Sequence, residues 1–430
     1  MNGLDLLYLA LGVVTAPLWA RKKRDGWRER CGHVGPMLAR EPTGKPRVLL
    51  HAVSVGEVSA LRKLVPMLTP DADVIVSTTT DTGLARATSL FSDQCDVVRY
   101  PLDASWMVRR FLDAVRPDAV GLVELELWPN FLKTCRKRGV PVAVINGRIS
   151  ARSFKGYRRF RAVTRPLMFA RIEAAGAQDE AYRERLAALG VAPERLAVTG
   201  SMKWDSVDAA GDPPPPSERA VAIARGLGID LERPLIVAGS TGPGEEALLH
   251  AACPAGVQLL CAPRKPERFD EAADALPGGT RRSSGEPRPG DRFLLDTIGE
   301  LSAAYELADV IVVGRSFGDL YGSDPTEPAA LGKPIVIGTA VGDFETAVGV
   351  LRDADAIAQV DRDDLPRALA ELMGRPEERD RMGTAARAAV RHQQGASDRH
   401  ARLMLGLCRL GIRSDADWSS RAEAIFGDHA

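Results

Sequence analysis

At 430 residues, with 57 Lys and Arg balanced by 57 Asp and Glu, the chain is longer than one ordinary domain and carries no net charge. That balance removes bulk attraction to nucleic acid as an account of its function. Cys31, Cys95, Cys135, Cys253, Cys261 and Cys408 form no C-x-x-C pair and the six His no H-x-x-x-H pair, so neither a disulfide framework nor a metal motif is expected.

The first predicted element is the apolar run Leu6–Ala20, followed directly by Arg21, Lys22, Lys23 and Arg24. At 15 residues it falls short of the ~20 that span a bilayer. A signal peptide carries its cations before the apolar run; here they follow it, which keeps the body of the chain cytoplasmic. Residues 1–24 are therefore expected to form a membrane anchor or interfacial helix, with a buried core helix as the alternative.

From Arg47 short β-branched runs alternate with amphipathic stretches. Strands are predicted at Val48–Val53, Val74–Ser77, Val97–Tyr100, Ala119–Glu124, Val142–Asn146 and Ala174–Ala177, with helices at Val58–Val65, Ser105–Val115 and Asn130–Arg138. Continuous apolar strands separated by helices predict a parallel sheet covered on both faces. The run Gly211-Asp212-Pro213-Pro214-Pro215-Pro216-Ser217 continues neither helix nor strand and reads as a linker. The alternation then restarts with strands at Leu235–Ala238, Gln258–Ala262, Phe293–Leu295, Val310–Val313 and Pro334–Ile337. The predicted domains are residues 25–212 and 213–400, both Rossmann-like and facing a cleft, with a helical segment 401–430 packing back on the first.

Ligands of such sheets bind beyond the carboxyl ends of the strands, so the motifs there carry the chemistry. Ser54-Val55-Gly56-Glu57 closes the first strand: Gly56 permits close approach, and Glu57 is either functional or a helix-capping charge. Glu124-Leu125-Glu126 ends another strand; two carboxylates there need a partner or a role, or else complement the helix starting near Pro129. Ser240-Thr241-Gly242-Pro243-Gly244-Glu245-Glu246 is a phosphate cradle or an N-terminal cap. Its two Glu weigh against a dinucleotide. Arg264 and Lys265 suit a phosphate or carboxylate, or form a solvated charge run. Ser323, Asp324 and Glu327 begin a helix before a buried strand; this pattern resembles the nucleotide-sugar transferases, which implies that Glu327 accepts from ribose hydroxyls, and the alternative is that it only complements the dipole.

In order, these segments resemble the 3-deoxy-D-manno-octulosonic acid (Kdo) transferases of lipopolysaccharide biosynthesis. The resemblance runs nearly end to end: Glu29-Arg30-Cys31-Gly32, His51–Glu57, Glu124–Asn130, Asn146–Ser150, Gly200–Asp205, Ser240–Glu246, Pro263–Phe269, Gly322–Ala330 and Gln394-Gly395-Ala396. It implies the GT-B fold, with an acceptor-binding first domain and a donor-binding second. It implies transfer of Kdo from CMP-Kdo to a lipid A precursor, with inversion and no required metal or cofactor, at the cytoplasmic face of the inner membrane. Membrane lipids and these two substrates are the implied partners, and nucleic acid is not. Glu29 matches the family's catalytic base. Ser54, Gly56, Glu57, Glu124, Glu126 and Arg148 fall on the acceptor side. Ser240, Thr241, Arg264, Lys265, Ser323, Asp324 and Glu327 fall on the donor side.

The chain departs from the family pattern in the donor half. Gly242, Lys265, Ser323 and Ala340 stand where His is usual, and Asp324 and Asp343 where Asn is usual. The alternatives are a GT-B transferase using another nucleotide sugar on a membrane acceptor, and a non-catalytic GT-B-like binding protein.

Overall fold

The computed structural model describes residues 3–6, 8, 25–211, 215–288 and 290–410. Most of the expected anchor, part of the proline linker and the tail 411–430 lie outside the described residues. Among the described residues no helix is long and apolar enough to cross a membrane.

The chain forms two compact units. One comprises the residues up to Ser206 together with those from Gln393; the other is Val207–His392. These crossings differ from the expected 212/213 and 400/401. The reason is local: Arg387 donates to the carbonyls of Ala210 and Gly211, which fastens the residues ahead of the prolines to the second unit.

The first unit holds β1 (Arg47–His51), β2 (Asp73–Thr78), β3 (Asp96–Arg99), β4 (Ala119–Val123), β5 (Val142–Gly147), β6 (Ala174–Ala177) and β7 (Leu196–Val198). They lie in the order β3-β2-β1-β4-β5-β6-β7, every pair parallel. The strand order reverses between β1 and β4, the place where such sheets bind ligands. β4 and β5 are buried along their whole length, which is why they read as unbroken apolar runs rather than alternating ones.

The predicted helix Val58–Val65 is instead two, Val55–Ala60 and Leu64–Leu68. Pro66 accounts for the break: it has no N–H to donate, and its ring crowds the carbonyl four residues earlier. Helix Ala396–Leu410 covers one face of the sheet, where Leu403, Met404 and Leu407 pack with Val48 and Leu50.

The second unit holds β8 (Leu235–Thr241), β9 (Gln258–Pro263), β10 (Thr280–Arg281), β11 (Arg292–Leu294), β12 (Val310–Val313), β13 (Ile335–Ile337) and β14 (Ile357–Gln359). Their order is β10-β11-β9-β8-β12-β13-β14, again all parallel. Here the order reverses at β8 and β12. The short β7, β10 and β14 were not among the predicted strands.

Candidate active site

In the first unit Glu29 sits on the single turn Trp27–Arg30, entered through Gly26 at φ 71°. A side chain at Gly26 would strike the Arg99 guanidinium, so glycine is needed both for the backbone and for the space. The next residue fixes the turn. Arg30 is buried and donates to the carbonyls of Asp25 and Thr79, at 3.0 and 2.8 Å, and to Asp81 at 3.1 Å. Asp81 also accepts from Arg99. Burial works the other way, but Arg99 and Arg30 together hold the Asp81 carboxyl below its usual range. Glu29 is thus a partly buried carboxylate on a turn clamped from beneath, with the exposed ring of Trp27 beside it.

The described part of the N-terminal segment is fastened nearby. Asp5 is fully buried and accepts from the Ser105 N–H at 2.8 Å, the Ser105 hydroxyl at 2.7 Å and Asn130 Nδ2 at 3.2 Å. Tyr8 donates to Asp103, which also accepts the N–H groups of Asn130 and Phe131. Burial pushes Asp103 up to about 6. Asp5 and Tyr8 therefore lock onto the N-terminal turns of helices Ser105–Val115 and Pro129–Lys137. The sequence reading, attentive to the apolar run, missed this pair of polar contacts.

Beyond β1, Ser54 and Glu57 form a reciprocal capping box: the Ser54 hydroxyl accepts from the Glu57 N–H, and the Glu57 carboxylate accepts from Val53 and Ser54. The capping alternative for Glu57 is thereby realised, and its charge still reaches Glu124 and Glu126. Glu124 follows β4 at φ 58°, a strained conformation for a non-glycine residue. Its carboxyl is raised by burial first and by Glu57 second, with Arg148 and Lys203 opposing. Glu126 is raised by burial, then by Glu57 and Glu124, against a hydrogen bond from Trp128. The predicted residues Glu57, Glu124, Glu126 and Arg148 thus share one electrostatic neighbourhood at the carboxyl edge of β1, β4 and β5, joined by Lys203.

Asn146 at φ 53° makes a bulge in β5 just ahead of Arg148. Three bonds hold it: its Oδ1 accepts the Met202 N–H, its carbonyl accepts Gln178 Nε2, and its N–H donates to His400 Nε2 at 3.0 Å. Since Nε2 accepts, His400 is the neutral tautomer with hydrogen on Nδ1. Burial lowers it to about 3, and Arg399 works the same way. His400 lies 254 residues from Asn146 along the chain, so nothing local in the sequence announced it.

In the second unit Ser240 bulges β8 at φ 57°, and Gly239 has no room for a side chain because the Tyr305 hydroxyl occupies that place. The turn Gly242–Gly244 leads into helix Glu245–Ala252. Both glutamates that follow are buried and structural. Glu245 accepts the N–H groups of Gly242, Arg315, Ser316 and Phe317 at 2.6–3.0 Å. Glu246 accepts from Thr241 and from both arms of Arg268. No side chain caps the helix, whose N-cap is Gly244, and the amides of Gly242 and Ser316 are spent on protein carboxylate rather than left for a phosphate.

Arg264 and Lys265 are exposed after β9. Burial raises the Tyr305 hydroxyl, and Glu327 and Asp324 push it further up while Arg264 opposes, so all three charges act on one buried hydroxyl. Asp324 accepts the Thr326 N–H and hydroxyl at the start of helix Thr326–Ala330. Glu327 accepts from Ser302. The Ser323 hydroxyl is buried without a protein partner.

Sequence reading passed over Arg315. It follows β12 at φ 60°, and its side chain lies over Gly242. Its backbone amide donates to Glu245 and its carbonyl accepts from Gly322, while among the described residues its guanidinium has no hydrogen-bond or ion-pair partner. The signal was a long charged side chain in a Gly-Arg-Ser turn where a glycine would be easier. Among the described residues no group of three or more His, Cys, Asp or Glu is placed to hold a metal ion.

Comparison with known proteins places these units. Residues 25–206 match the family model described as "3-Deoxy-D-manno-octulosonic-acid transferase (kdotransferase)". A 3-deoxy-D-manno-octulosonic acid transferase of Haemophilus influenzae is 32% identical over 92% of this chain and 93% of its own. One of Bordetella pertussis is 34% identical over 89% and 93%. Among solved structures, Acinetobacter baumannii MurG superposes with a TM-score of 0.53 over 84% of this chain and 99% of its own, at 15% identity, a likeness of fold.

Proposed function

The chain belongs to the 3-deoxy-D-manno-octulosonic acid (Kdo) transferase family and is a glycosyltransferase of two parallel α/β domains, the GT-B kind; from that premise we propose that it moves Kdo from CMP-Kdo to a lipid A precursor, with inversion, at the cytoplasmic face of the inner membrane. The observation that carries this reading is the whole-length similarity, supported by a second unit in which the charges of Arg264, Asp324 and Glu327 all act on the Tyr305 hydroxyl.

A sugar hydroxyl is a poor nucleophile, and Glu29, on its clamped turn, takes its proton as the oxygen attacks. The bond from that oxygen to the anomeric carbon of Kdo forms while the carbon–oxygen bond to the CMP phosphate breaks. The carbon passes through an oxocarbenium-like state, and one displacement inverts it with no carboxylate nucleophile. The leaving phosphate gains charge, which Arg264 and Arg315 meet from the ends of β9 and β12. Glu327 accepts from the ribose diol. Glu57, Glu124, Glu126, Arg148 and Lys203 form a mixed-charge wall suited to a phosphorylated sugar acceptor.

The departures at Gly242, Lys265, Ser323 and Ala340 bear on the choice of donor. Lys265 adds a cation at its position, while Asp324 accepts from Thr326 at the start of the next helix, which moderates its repulsion of an anionic donor. The test is mass spectrometry of the product formed from CMP-Kdo and a lipid A precursor, with calorimetry of CMP and UDP alongside. A product heavier by one Kdo residue is expected. Tight UDP binding without Kdo transfer points to a different nucleotide sugar; binding of neither nucleotide points to a non-catalytic protein.

A further inference from the structure

We propose that helices Ala151–Arg159 and Arg161–Leu167 form a docking surface for an anionic lipid bilayer, separate from the N-terminal segment. Three observations carry it. The first is charge. Between residues 148 and 172 stand Arg148, Arg152, Lys155, Arg158, Arg159, Arg161, Arg165 and Arg171, with no Asp or Glu, in a chain that is balanced overall. A solvated helix face usually intersperses both signs; this one leaves its cations to repel each other.

The second is burial. Neither helix contains a buried residue. Phe160 is 61% exposed and Val163 56%, on adjacent turns, with Arg158, Arg159 and Arg161 around them. Arg158 and Arg159 lie over the rings of Phe154 and Phe160 rather than against carboxylates. An aromatic and an aliphatic side chain ringed by cations fit the boundary where acyl chains lie beneath phosphate headgroups. A nucleic acid or an acidic peptide would satisfy the cations and leave Val163 in water.

The third is position. The pair leaves β5 directly after Arg148, and Tyr157 packs edge-on against Phe169 at 5.3 Å while burial first, and the charge of Glu126 second, raise its hydroxyl. A bilayer touching Phe160 would therefore lie beside the acceptor-side carboxylates, where a lipid-borne hydroxyl must arrive. The inference does not require the transferase chemistry, and its test uses vesicles without donor or acceptor.

The full chain is sedimented with phosphatidylglycerol/phosphatidylethanolamine vesicles and with phosphatidylcholine vesicles. A juxtamembrane cation contributes about fivefold in partitioning. Arg158→Gln/Arg159→Gln/Arg161→Gln should then lose about 100-fold on the anionic vesicles, with its melting temperature kept. The control Arg225→Gln/Arg352→Gln/Arg375→Gln, in the second unit, should lose less than fivefold. Phe160→Trp should gain fluorescence quenching by brominated acyl chains over the parent protein. Equal partitioning of the two triple variants, or no added quenching at position 160, overturns the proposal. So does a loss seen only with a single-stranded oligonucleotide and not with vesicles.

Discussion

Glu29 is the residue on which the proposed chemistry turns, and its neighbours explain how a single helical turn can hold it. The Arg30–Asp81–Arg99 network anchors the backbone from below and does not include Glu29, so replacing Glu29 leaves it in place. Glu29→Gln should fold normally and lower turnover at saturating donor by about 10²–10⁴. Near-normal turnover would remove Glu29 from the mechanism. Arg315 gives a second, two-sided prediction. Glycine tolerates φ 60° where arginine is strained by roughly 1 kcal/mol. Arg315→Gly should therefore raise the melting temperature while weakening CMP binding about tenfold, the loss of one charge-assisted contact. A variant that gains stability and keeps its CMP affinity would show that the guanidinium faces water only.

At the scale of elements, the bulges in β5 and β8 decide where the site residues point. Each puts a non-glycine residue, Asn146 or Ser240, in the left-handed region at the carboxyl end of a parallel strand. The long apolar runs of β1, β4, β5, β8 and β12 were legible because buried parallel strands need no polar alternation. β7, β10 and β14, two or three residues each, are sheet-edge strands; the equally short β11 and β13 lie inside their sheet and showed as apolar runs. Nor could strand statistics place a positive φ on Glu124 or Asn146, since no glycine marked either site. The support for Asn146 comes from helix Ala396–Leu410, through His400, and this has a measurable pH signature. His51 and His400 are both lowered by burial to about 3 from the ordinary 6.5. The unfolded chain binds those protons as pH falls through 6.5 and the folded one does not, so stability is lost toward acid. Asp103, raised to about 6 from 3.8, works in the opposite sense within that window. Between about pH 6 and 4 these three groups leave one net proton, a slope of about 1.4 kcal/mol per pH unit. His400→Gln keeps an acceptor for the Asn146 N–H and removes one titrating group. Its unfolding free energy, measured in urea across pH 4–6, should be flatter by about that slope; an unchanged slope would contradict a neutral buried His400.

For the whole molecule, both sheets and the carboxyl-edge location of the motifs could be read from the sequence, because β/α alternation and strand-end loops are local signals. The crossing points of the chain could not. They depend on Arg387 reaching Gly211, and on Asp205 accepting the N–H groups of Gly395 and Ser397 at the start of helix Ala396–Leu410. That helix supplies Leu403, Met404 and Leu407 to the first unit's core, each fully or almost fully buried. At roughly 1.5–3 kcal/mol per buried side chain, they stabilise that unit by roughly 5–9 kcal/mol. A chain ending at His392 should keep the thermal transition of the second unit and lose that of the first, which would then be cleaved readily by protease. Retention of both transitions would show that the first unit closes without its last helix.

The same arrangement orders events in time. The helix that finishes the first unit is encoded after all of Val207–His392. At 5–20 residues per second a ribosome takes roughly 10–40 s to make that stretch. Throughout that interval the nascent first unit waits with the apolar faces of Val48, Leu50 and Ala143 uncovered. The second unit, continuous in sequence, is complete first. The half of the protein made earliest is thus the last to mature, and it is the half for which a chaperone has work to do.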